Sequence, residues 1–401
     1  MKYIVILCDG MADEPLEELG GRTPLEAART ENMDRLAKSS EIGMVQTVPD
    51  GMAPGSDTAN LSVIGYDPRK YYTGRSPLEA LSIGAPMEPS DVSFRCNLVT
   101  LSEEEENYED RHILDHSSDE ISTEEAAELI RALSEGLKRD GYTFYVGTSY
   151  RHLLIHKNGT VVELTAPHDI LTKRIGEYLP EDEVLREMMI KSYDILKDHP
   201  INVKRRAEGK NPANSAWFWG AGTRPMLTSF EEKNGVKGAM ISAVDLLKGI
   251  AAGAGMHNII VEGANGGLNT NYSGKAEAAV KVLTEDGFDF VYVHIEAPDE
   301  MGHQGSVERK IQAIENIDEK IIGPVNRALD AEGTAYRMLI LPDHPTPIRV
   351  RTHTSDPVPY LLYDSTKAMD GMDTYSEKTG RETGIFEKEG YHLIDHLLSV
   401  K

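Results

Sequence analysis

The sequence has few cysteines, few basic residues and no long apolar run, and each shortage excludes a class of protein. Two cysteines, Cys8 and Cys96, cannot build a disulfide framework and are typical of a reducing compartment. The chain has 42 Lys and Arg against 66 Asp and Glu, a net charge of −24, which argues against nucleic acid or an anionic membrane as partner. Residues 238–261 form the most apolar long stretch, but Asp245 and Lys248 interrupt it, so it cannot span a bilayer. We therefore expect a soluble cytoplasmic enzyme.

Short runs rich in Val and Ile recur along the chain, and each ends in polar or glycine-containing sequence. Near-continuous apolar runs of this length are typical of buried parallel strands with helices on both faces. Four such runs occupy residues 3–8, 258–261, 290–295 and 338–341. A pattern of apolar residues every three or four positions predicts a helix over 307–329. This alternation predicts a doubly wound α/β domain, whose ligand site lies beyond the carboxyl ends of its strands.

The middle of the chain has a different pattern from the rest. Residues 122–125 fit a capping box that opens a helix, and two strand patterns follow that helix. We therefore predict an inserted α+β domain over residues 87–190, which would bind substrate and act as a cap. The catalytic core would then consist of residues 1–86 and 191–401.

Side chains that bind metals in other proteins follow several of the predicted strands. Any one of them alone is more often a surface residue or a hydrogen-bonded core residue. Three Asp and three His, all near predicted strand ends, are nevertheless enough ligands for two divalent cations, which are a common device for phosphoryl transfer. In chain order these residues are Asp9, Asp299, His303, Asp343, His344 and His353.

The best candidate for a nucleophile is Ser56, in the run Pro54-Gly55-Ser56-Asp57-Thr58-Ala59. The residues from Thr58 onward favour a helix, so Ser56 would lie at a helix N-terminus, where free N–H groups favour a phosphate. A serine hydroxyl is a poor nucleophile unless a base or a metal activates it. An isolated Ser-Asp pair would be an ordinary helix cap, so the hypothesis depends on the metal ligands.

Seven motifs, in the same order and spread over nearly the whole chain, resemble those of the cofactor-independent phosphoglycerate mutases of the shorter, archaeal-type branch. That branch belongs to the alkaline phosphatase-like metalloenzymes, so the resemblance implies an alkaline phosphatase-like α/β core. The motifs are Cys8-Asp9-Gly10, Pro54-Gly55-Ser56-Asp57-Thr58-Ala59, the run from Leu61 to Pro68, Gly220-Ala221-Gly222-Thr223, Asp299-x-x-Gly302-His303, Asp343-His344, and His353-x-x-Asp356-Pro357-Val358-Pro359.

The resemblance implies a mechanism with two divalent cations, Mn²⁺ being preferred over Mg²⁺, Co²⁺ or Zn²⁺. Ser56 would take the phosphoryl group of 3-phosphoglycerate, and the phosphoserine would return it to the 2-hydroxyl of the re-oriented glycerate. The implied ligands of one cation are Asp299, His303 and His353. The implied ligands of the other are Asp9, Asp343, His344 and the Ser56 oxygen.

The resemblance also points to residues that would hold the phosphorylated substrate. Arg75 and Arg151 stand where the family has arginine, and Arg224 and Lys248 are weaker candidates. Asp115 begins a motif in which the mutases of this branch have an Asp followed by paired arginines. Here the sequence continues as His116-Ser117. The two arginine side chains that would suit the phosphate and the carboxylate of the substrate are therefore missing.

That departure leaves alternatives open. A related subgroup, proposed to be homoserine kinases, looks similar to this sequence at the same places, and such an enzyme would need fewer arginines. A metal-dependent phosphatase would result from a cap that does not exclude water. A non-catalytic, metal-stabilised binding protein is a weaker hypothesis, because the ligands and the serine exceed what a structural metal requires.

Overall fold

A computed structural model describes residues 1–367 and 369–399 of this chain. Its strands belong to two sheets. They are β1 (Lys2–Cys8), β2 (Ser40–Val45), β3 (Val92–Leu101), β4 (Ile113–Asp115), β5 (Tyr142–Thr148), β6 (Arg151–His156), β7 (Ser215–Thr223), β8 (Gly238–Ile241), β9 (His257–Ile259), β10 (Phe290–Ile295), β11 (Tyr336–Leu341), β12 (Val358–Asp364) and β13 (Phe386–Glu387).

The α-helices lie mostly between strands, as expected for an α/β chain. They are α1 (Pro24–Ala27), α2 (Glu31–Ala37), α3 (Ser56–Val63), α4 (Pro68–Tyr71), α5 (Arg75–Ser82), α6 (Thr123–Gly136), α7 (Glu183–Leu196), α8 (Pro200–Ala207), α9 (Phe230–Asn234), α10 (Asp245–Gly253), α11 (Tyr272–Thr284), α12 (Ala297–His303), α13 (Val307–Ile317), α14 (Gly323–Ala331), α15 (Glu377–Glu382) and α16 (Leu393–Leu398). Among the described residues, none of these helices is long and apolar enough to cross a membrane.

The chain divides into two compact units, and the larger one consists of Met1–Tyr72 and Leu227–Lys401. Its sheet has the strand order β13-β2-β12-β11-β1-β10-β8-β9. From β11 to β9 every pairing is parallel, whereas β12 runs antiparallel to both of its neighbours. Strands β1, β10 and β11 are almost entirely buried, because helices cover both faces of the sheet. The predicted α/β class with a mostly parallel sheet is confirmed.

The helix predicted over 307–329 is interrupted in the structure. Helices α13 and α14 are joined by a π-helical turn, Asp318–Ile322. Pro324 explains the irregularity, because proline has no N–H to donate and its ring clashes with the carbonyl four residues earlier. The carboxylate of Asp318, in this turn, accepts hydrogen bonds from the backbone N–H groups of Asn32 and Met33 in α2.

The smaller unit is Thr73–Met226, and its sheet has the order β4-β3-β6-β5, with β7 also paired to β3. The segment 87–190, predicted to be inserted, lies inside this unit. The unit is longer than predicted, because β7 pairs with β3 over a separation of more than a hundred residues. A pairing between such distant segments cannot be recognised from the local sequence. The cap function of this unit stays a prediction.

Candidate active site

The candidate ligands of the larger unit are brought together by three neighbouring parallel strands. Asp9 directly follows β1, and Asp343 and His344 follow β11. On the other side of β1, strand β10 leads into α12, which carries Asp299 and His303. Because the carboxyl ends of parallel strands meet at one edge of a sheet, these side chains converge there.

Asp299 is the centre of one group of ligands. Its Oδ2 lies 3.1 Å from Nε2 of His303, and its Oδ1 lies 3.3 Å from Nε2 of His353. The two histidine Nε2 atoms are themselves 3.1 Å apart. Asp299 and His303 occupy successive turns of α12, so their spacing of four residues places them on one face of the helix.

Asp343 and Asp9 form the second group, together with His344. The Asp343 carboxylate is held by the backbone N–H of Gly10, at 3.1 Å, and by Nδ2 of Asn60, at 2.8 Å. Nε2 of His344 lies 3.4 Å from Oδ2 of Asp343 and 3.6 Å from Oδ1 of Asp9. His344 also belongs to the first group, since it can share a cation with Asp299 and His353.

The electrostatics of these groups fit divalent cations. Burial, reinforced by the nearby carboxylates of Asp343 and Asp299, raises the pKa of Asp9 well above its usual value. Oδ1 of Asp9 is buried and accepts no hydrogen bond. A hydrogen bond with Asp299 raises the pKa of His303 to about 9. Carboxylate oxygens and imidazole nitrogens in this arrangement are a donor set for a divalent metal.

Ser56, the predicted nucleophile, lies beside the second group. It is the first residue of α3, and its Oγ is 3.0 Å from Nε2 of His344 and 3.5 Å from Oδ2 of Asp9. The side chain of Asn60, one turn further along α3, donates to the Ser56 carbonyl and to Asp343. The same helix therefore positions the serine and one of the carboxylates.

His294, which contacts Asp9 from within β10, was not predicted from the sequence. Nε2 of His294 lies 2.8 Å from Oδ2 of Asp9, and its Nδ1 lies 3.2 Å from the hydroxyl of Ser242. Burial, reinforced by the ammonium of Lys275, lowers the pKa of His294 to about 3, so the ring is neutral. The signal in the sequence was a histidine inside the apolar run Phe290–Ile295. A polar side chain that is buried in a strand needs a hydrogen-bond partner.

In the smaller unit, Arg75 belongs to a cluster of arginine and aromatic side chains. Glu79 pairs with Arg75 at 3.4 Å and with Arg95 at 3.0 Å. The Arg95 guanidinium stacks on Trp219, 4.1 Å from the ring centroid. Burial lowers the pKa of Arg95, and the positive charges of Arg75 and Arg151 add to that effect. Arg95 was missed by the sequence analysis, although a charge inside an otherwise apolar strand marked it.

The other predicted substrate-binding residues have local partners. Arg151 begins β6 and lies over the ring of Tyr150, 5.3 Å from its centroid. Nη1 of Arg224 donates to the Met87 carbonyl at 2.9 Å, and Lys248 of the larger unit pairs with Asp245 at 3.3 Å.

Asp115 organises the turn that replaces the expected paired arginines. Its carboxylate accepts from the backbone N–H groups of Ser117, at 2.8 Å, and of Asp119, at 2.6 Å. Asn211 donates to the same carboxylate, and these hydrogen bonds lower the pKa of Asp115 against the opposing effect of burial. His116, next in sequence, lies edge-on to Tyr150.

The sheet and the clustered side chains define an α/β protein with a group of possible metal ligands at the carboxyl edge of its strands. The family described as 2,3-bisphosphoglycerate-independent phosphoglycerate mutase matches residues 37–202. A protein of that name from Methanosarcina barkeri is 47% identical over 100% of both chains. A relative from Geobacter sulfurreducens is 48% identical, over 99% of this chain and 100% of its own.

Solved structures give the same result. The cofactor-independent phosphoglycerate mutase of Thermoplasma acidophilum aligns with a TM-score of 0.67 at 29% identity, over 99% of both chains. A protein from Pyrococcus horikoshii aligns with a TM-score of 0.83 at 32% identity, over 100% of this chain and 98% of its own. The chain therefore belongs to the 2,3-bisphosphoglycerate-independent phosphoglycerate mutase family, and the family predicted from the motifs is confirmed.

Proposed function

We propose that this enzyme interconverts 3-phosphoglycerate and 2-phosphoglycerate through a phosphoserine at Ser56, with two divalent cations of which Mn²⁺ is the preferred one. The observation that carries the proposal is the position of the Ser56 hydroxyl, 3.0 Å from His344 and 3.5 Å from Asp9. Family membership supplies the substrate class, and the low cysteine count supports a cytoplasmic location.

The two ligand groups would each hold one cation, and His344 lies at the boundary between them. Asp299, His303 and His353 would bind one cation, and Asp9, Asp343 and His344, with Ser56, the other. Bound cations neutralise the transferring phosphoryl oxygens and favour loss of the serine proton. The protein's own part is to fix the Ser56 oxygen at the start of α3, where free backbone N–H groups favour a phosphate.

The smaller unit would supply the charges that hold the rest of the substrate. Arg75 and Arg151 are the arginines predicted to bind the phosphoglycerate anions, and both keep exposed side chains. Arg95 is stacked on Trp219 and paired with Glu79, which also pairs with Arg75. Arg95 would therefore act indirectly, by positioning Glu79 and, through it, Arg75. The mutase reaction requires that water be kept from the phosphoserine, and we assign that task to this unit.

The test is replacement of Ser56 by alanine in the metal-loaded enzyme. We expect Ser56→Ala to lower 3-phosphoglycerate turnover by at least about a thousandfold and to abolish acid-stable labelling from a phosphate-labelled substrate, because the phosphoryl acceptor is gone. An enolase-coupled assay measures turnover. Ser62→Ala is the matched control, since Ser62 lies in the same helix and its buried hydroxyl has no hydrogen-bond partner.

Retention of a substantial fraction of mutase activity in Ser56→Ala would contradict the phosphoserine mechanism. A parent enzyme that makes no 2-phosphoglycerate but phosphorylates homoserine from a nucleotide would overturn the substrate assignment, and the short Asp115-His116-Ser117 motif would then mark the change. The relatives do not favour that alternative, because they are named as mutases over the full length of this chain.

A further inference from the structure

One buried hydroxyl, that of Thr346, contacts ligands of both metal groups. Thr346 is fully buried in the loop after β11. Its Oγ1 is hydrogen-bonded to Oδ1 of Asp299 and lies 3.4 Å from Nδ1 of His344. Asp299 belongs to the first ligand group and His344 to both, so this side chain links the two groups.

The direction of these hydrogen bonds follows from the chemistry of the three groups. The Asp299 carboxylate can only accept, so the Thr346 hydroxyl must donate to it. The lone pairs of that oxygen can then accept from the N–H of His344 Nδ1, and the backbone of Pro345 is a second hydrogen-bond partner of the His344 ring. A neutral imidazole with its proton on Nδ1 has its lone pair on Nε2, which is the atom that faces Asp9 and Asp343.

Thr346 is itself held through both of its backbone polar groups. Its N–H donates to the carbonyl of Ala12 at 3.2 Å, and its carbonyl accepts from Nζ of Lys310 at 2.9 Å. The Lys310 ammonium, which is fully buried, is paired with Asp13 at 2.7 Å. The backbone N–H of Ile348, two residues further along, donates to Asp13 as well, so one ion pair anchors the loop on both sides of Pro347.

Two glycines leave the space in which this hydroxyl sits. A Cβ on Gly10 would lie 2.5 Å from Oγ1 of Thr346 and 2.6 Å from Oδ1 of Asp299, and Gly10 has a φ of +62° that disfavours side chains in any case. A Cβ on Gly302 would lie 2.5 Å from the Thr346 carbonyl oxygen. Backbone from the end of β1 and from α12 therefore encloses Thr346.

We propose that Thr346 is a positioning residue that sets the orientation of Asp299 and the tautomer of His344, and that the Lys310–Asp13 ion pair keeps it in place. Thr346 binds no cation itself; it acts through ligands of both groups. This inference rests on the metal centre of the proposed function. Groups that orient metal ligands typically change metal affinity by ten- to a hundredfold when they are removed.

The experiment compares Thr346→Val with Thr346→Ser in chelator-stripped protein. Valine keeps the shape and loses the hydroxyl, whereas serine keeps both hydrogen bonds. Titration calorimetry with Mn²⁺ and the visible absorption spectrum of the Co²⁺-loaded protein are the readouts. We expect Thr346→Val to weaken metal binding at least about tenfold and to alter the cobalt spectrum, and Thr346→Ser to restore both.

The control is Thr100→Val in the smaller unit, which removes a comparably buried hydroxyl bonded to Ser118. It should leave the cobalt spectrum unchanged, so that a general loss of stability is separated from a positioning effect. A parent-like metal affinity and spectrum in Thr346→Val would overturn this inference alone. If the parent protein bound no divalent cation, both the positioning role of Thr346 and the metal site of the proposed function would be overturned.

A second comparison tests whether the Lys310–Asp13 ion pair holds Thr346 in place. It compares the single variant Lys310→Met with a double variant that carries both Lys310→Met and Asp13→Asn. The single variant leaves the Asp13 carboxylate buried without its cation, whereas the double variant removes both charges. We expect the double variant to fold, to bind Mn²⁺ more weakly than the parent and to show a changed cobalt spectrum. Parent-like binding and an unchanged spectrum in the double variant would exclude the ion pair from the positioning role.

Discussion

A carboxylate cluster in the larger unit and an arginine pair in the smaller unit differ in how their charge is balanced. The larger unit gathers the carboxylates of Asp9, Asp299 and Asp343 within one site and leaves an oxygen of Asp9 without a hydrogen-bond partner. In the smaller unit, Arg75 and Arg95 share a carboxylate partner, because Glu79 pairs with both of them. Clustered buried carboxylates are stabilised by a bound cation or by protons, whereas a guanidinium paired with a carboxylate is already neutralised within the fold. The difference favours the carboxylate cluster as the candidate metal site.

Metal removal should have the largest effect, and it should be confined to the larger unit. Stripping with a chelator is expected to abolish turnover, and Mn²⁺ should restore it, because the acidic ligands are otherwise partly protonated or repelling. Mn²⁺ at a hundred times its Kd should stabilise the folded protein by about 2.7 kcal/mol.

Hydrogen exchange with and without Mn²⁺ locates that stabilisation. Protection should rise in residues 343–353, which carry three ligands, and stay the same in β3 of the smaller unit. An equal gain of protection in both units would contradict the contrast drawn between them.

Loss of a predicted substrate arginine should have the next largest effect. Arg75→Gln is expected to raise KM for 3-phosphoglycerate about ten- to a hundredfold, because a hydrogen bond to a charged group contributes roughly 1.5–3 kcal/mol. Metal affinity should not change, since Arg75 belongs to the smaller unit.

Arg174→Gln serves as the control for that variant. Arg174 is an exposed arginine of the same unit that pairs with Asp110, and its loss should leave KM within about twofold of the parent. Steady-state kinetics with saturating Mn²⁺ measures the KM of both variants. An unchanged KM in Arg75→Gln would remove Arg75 from the substrate site.

Acid titration of the smaller unit should have the smallest effect near neutral pH, and the effect should grow as the pH falls below 6.5. Burial lowers the pKa of His152 to about 4, from the ordinary 6.5. The folded protein keeps this ring neutral, so its contribution to stability is present above pH 6.5 and is lost as the pH falls toward 4. Between those values the unfolded state binds the extra proton, and the free energy of unfolding should fall by about 1.4 kcal/mol per pH unit from this group.

Urea unfolding of the parent and of His152→Gln from pH 7 to pH 4 measures that slope. The difference between the two proteins should be the same with Mn²⁺ and with chelator, because His152 lies in the unit without the ligand groups. A difference that disappears on adding metal would connect His152 to the metal centre and break the separation of the two units.

The sequence predicted the parts of the site that follow strand ends, because a polar residue after an apolar run is a local signal. Asp9 and the pair Asp343-His344 are of this kind. Lys310 could not be predicted in the same way. It lies on a helix whose other polar residues face solvent, and only the fold places Asp13 against it in a fully buried pair.

The smaller unit was harder to predict for a related reason. Its sheet is assembled by antiparallel pairings between distant segments, such as β3 with β7, and its boundaries depend on those pairings. The larger unit is built from repeated strand–helix alternation, in which each element is recognisable by itself. The partners of Arg95 could not be predicted from the sequence, because Glu79 and Trp219 come from elements that are distant from each other along the chain.

The chain enters and leaves the smaller unit at adjacent points. Within that unit the hydroxyl of Thr73 donates to the carbonyl of Thr223, and Gly74 is so close to Ala221 that a Cβ there would touch its carbonyl oxygen. Within the larger unit the hydroxyl of Tyr66 donates to the carbonyl of Thr228 at 2.7 Å. An inserted unit whose two ends lie close together tolerates changes in its length and sequence. Such changes leave the path of the chain in the larger unit, which carries the candidate metal ligands, unaltered. The sequence of the smaller unit can therefore diverge while the strands that position Asp9, Asp299 and Asp343 stay unchanged.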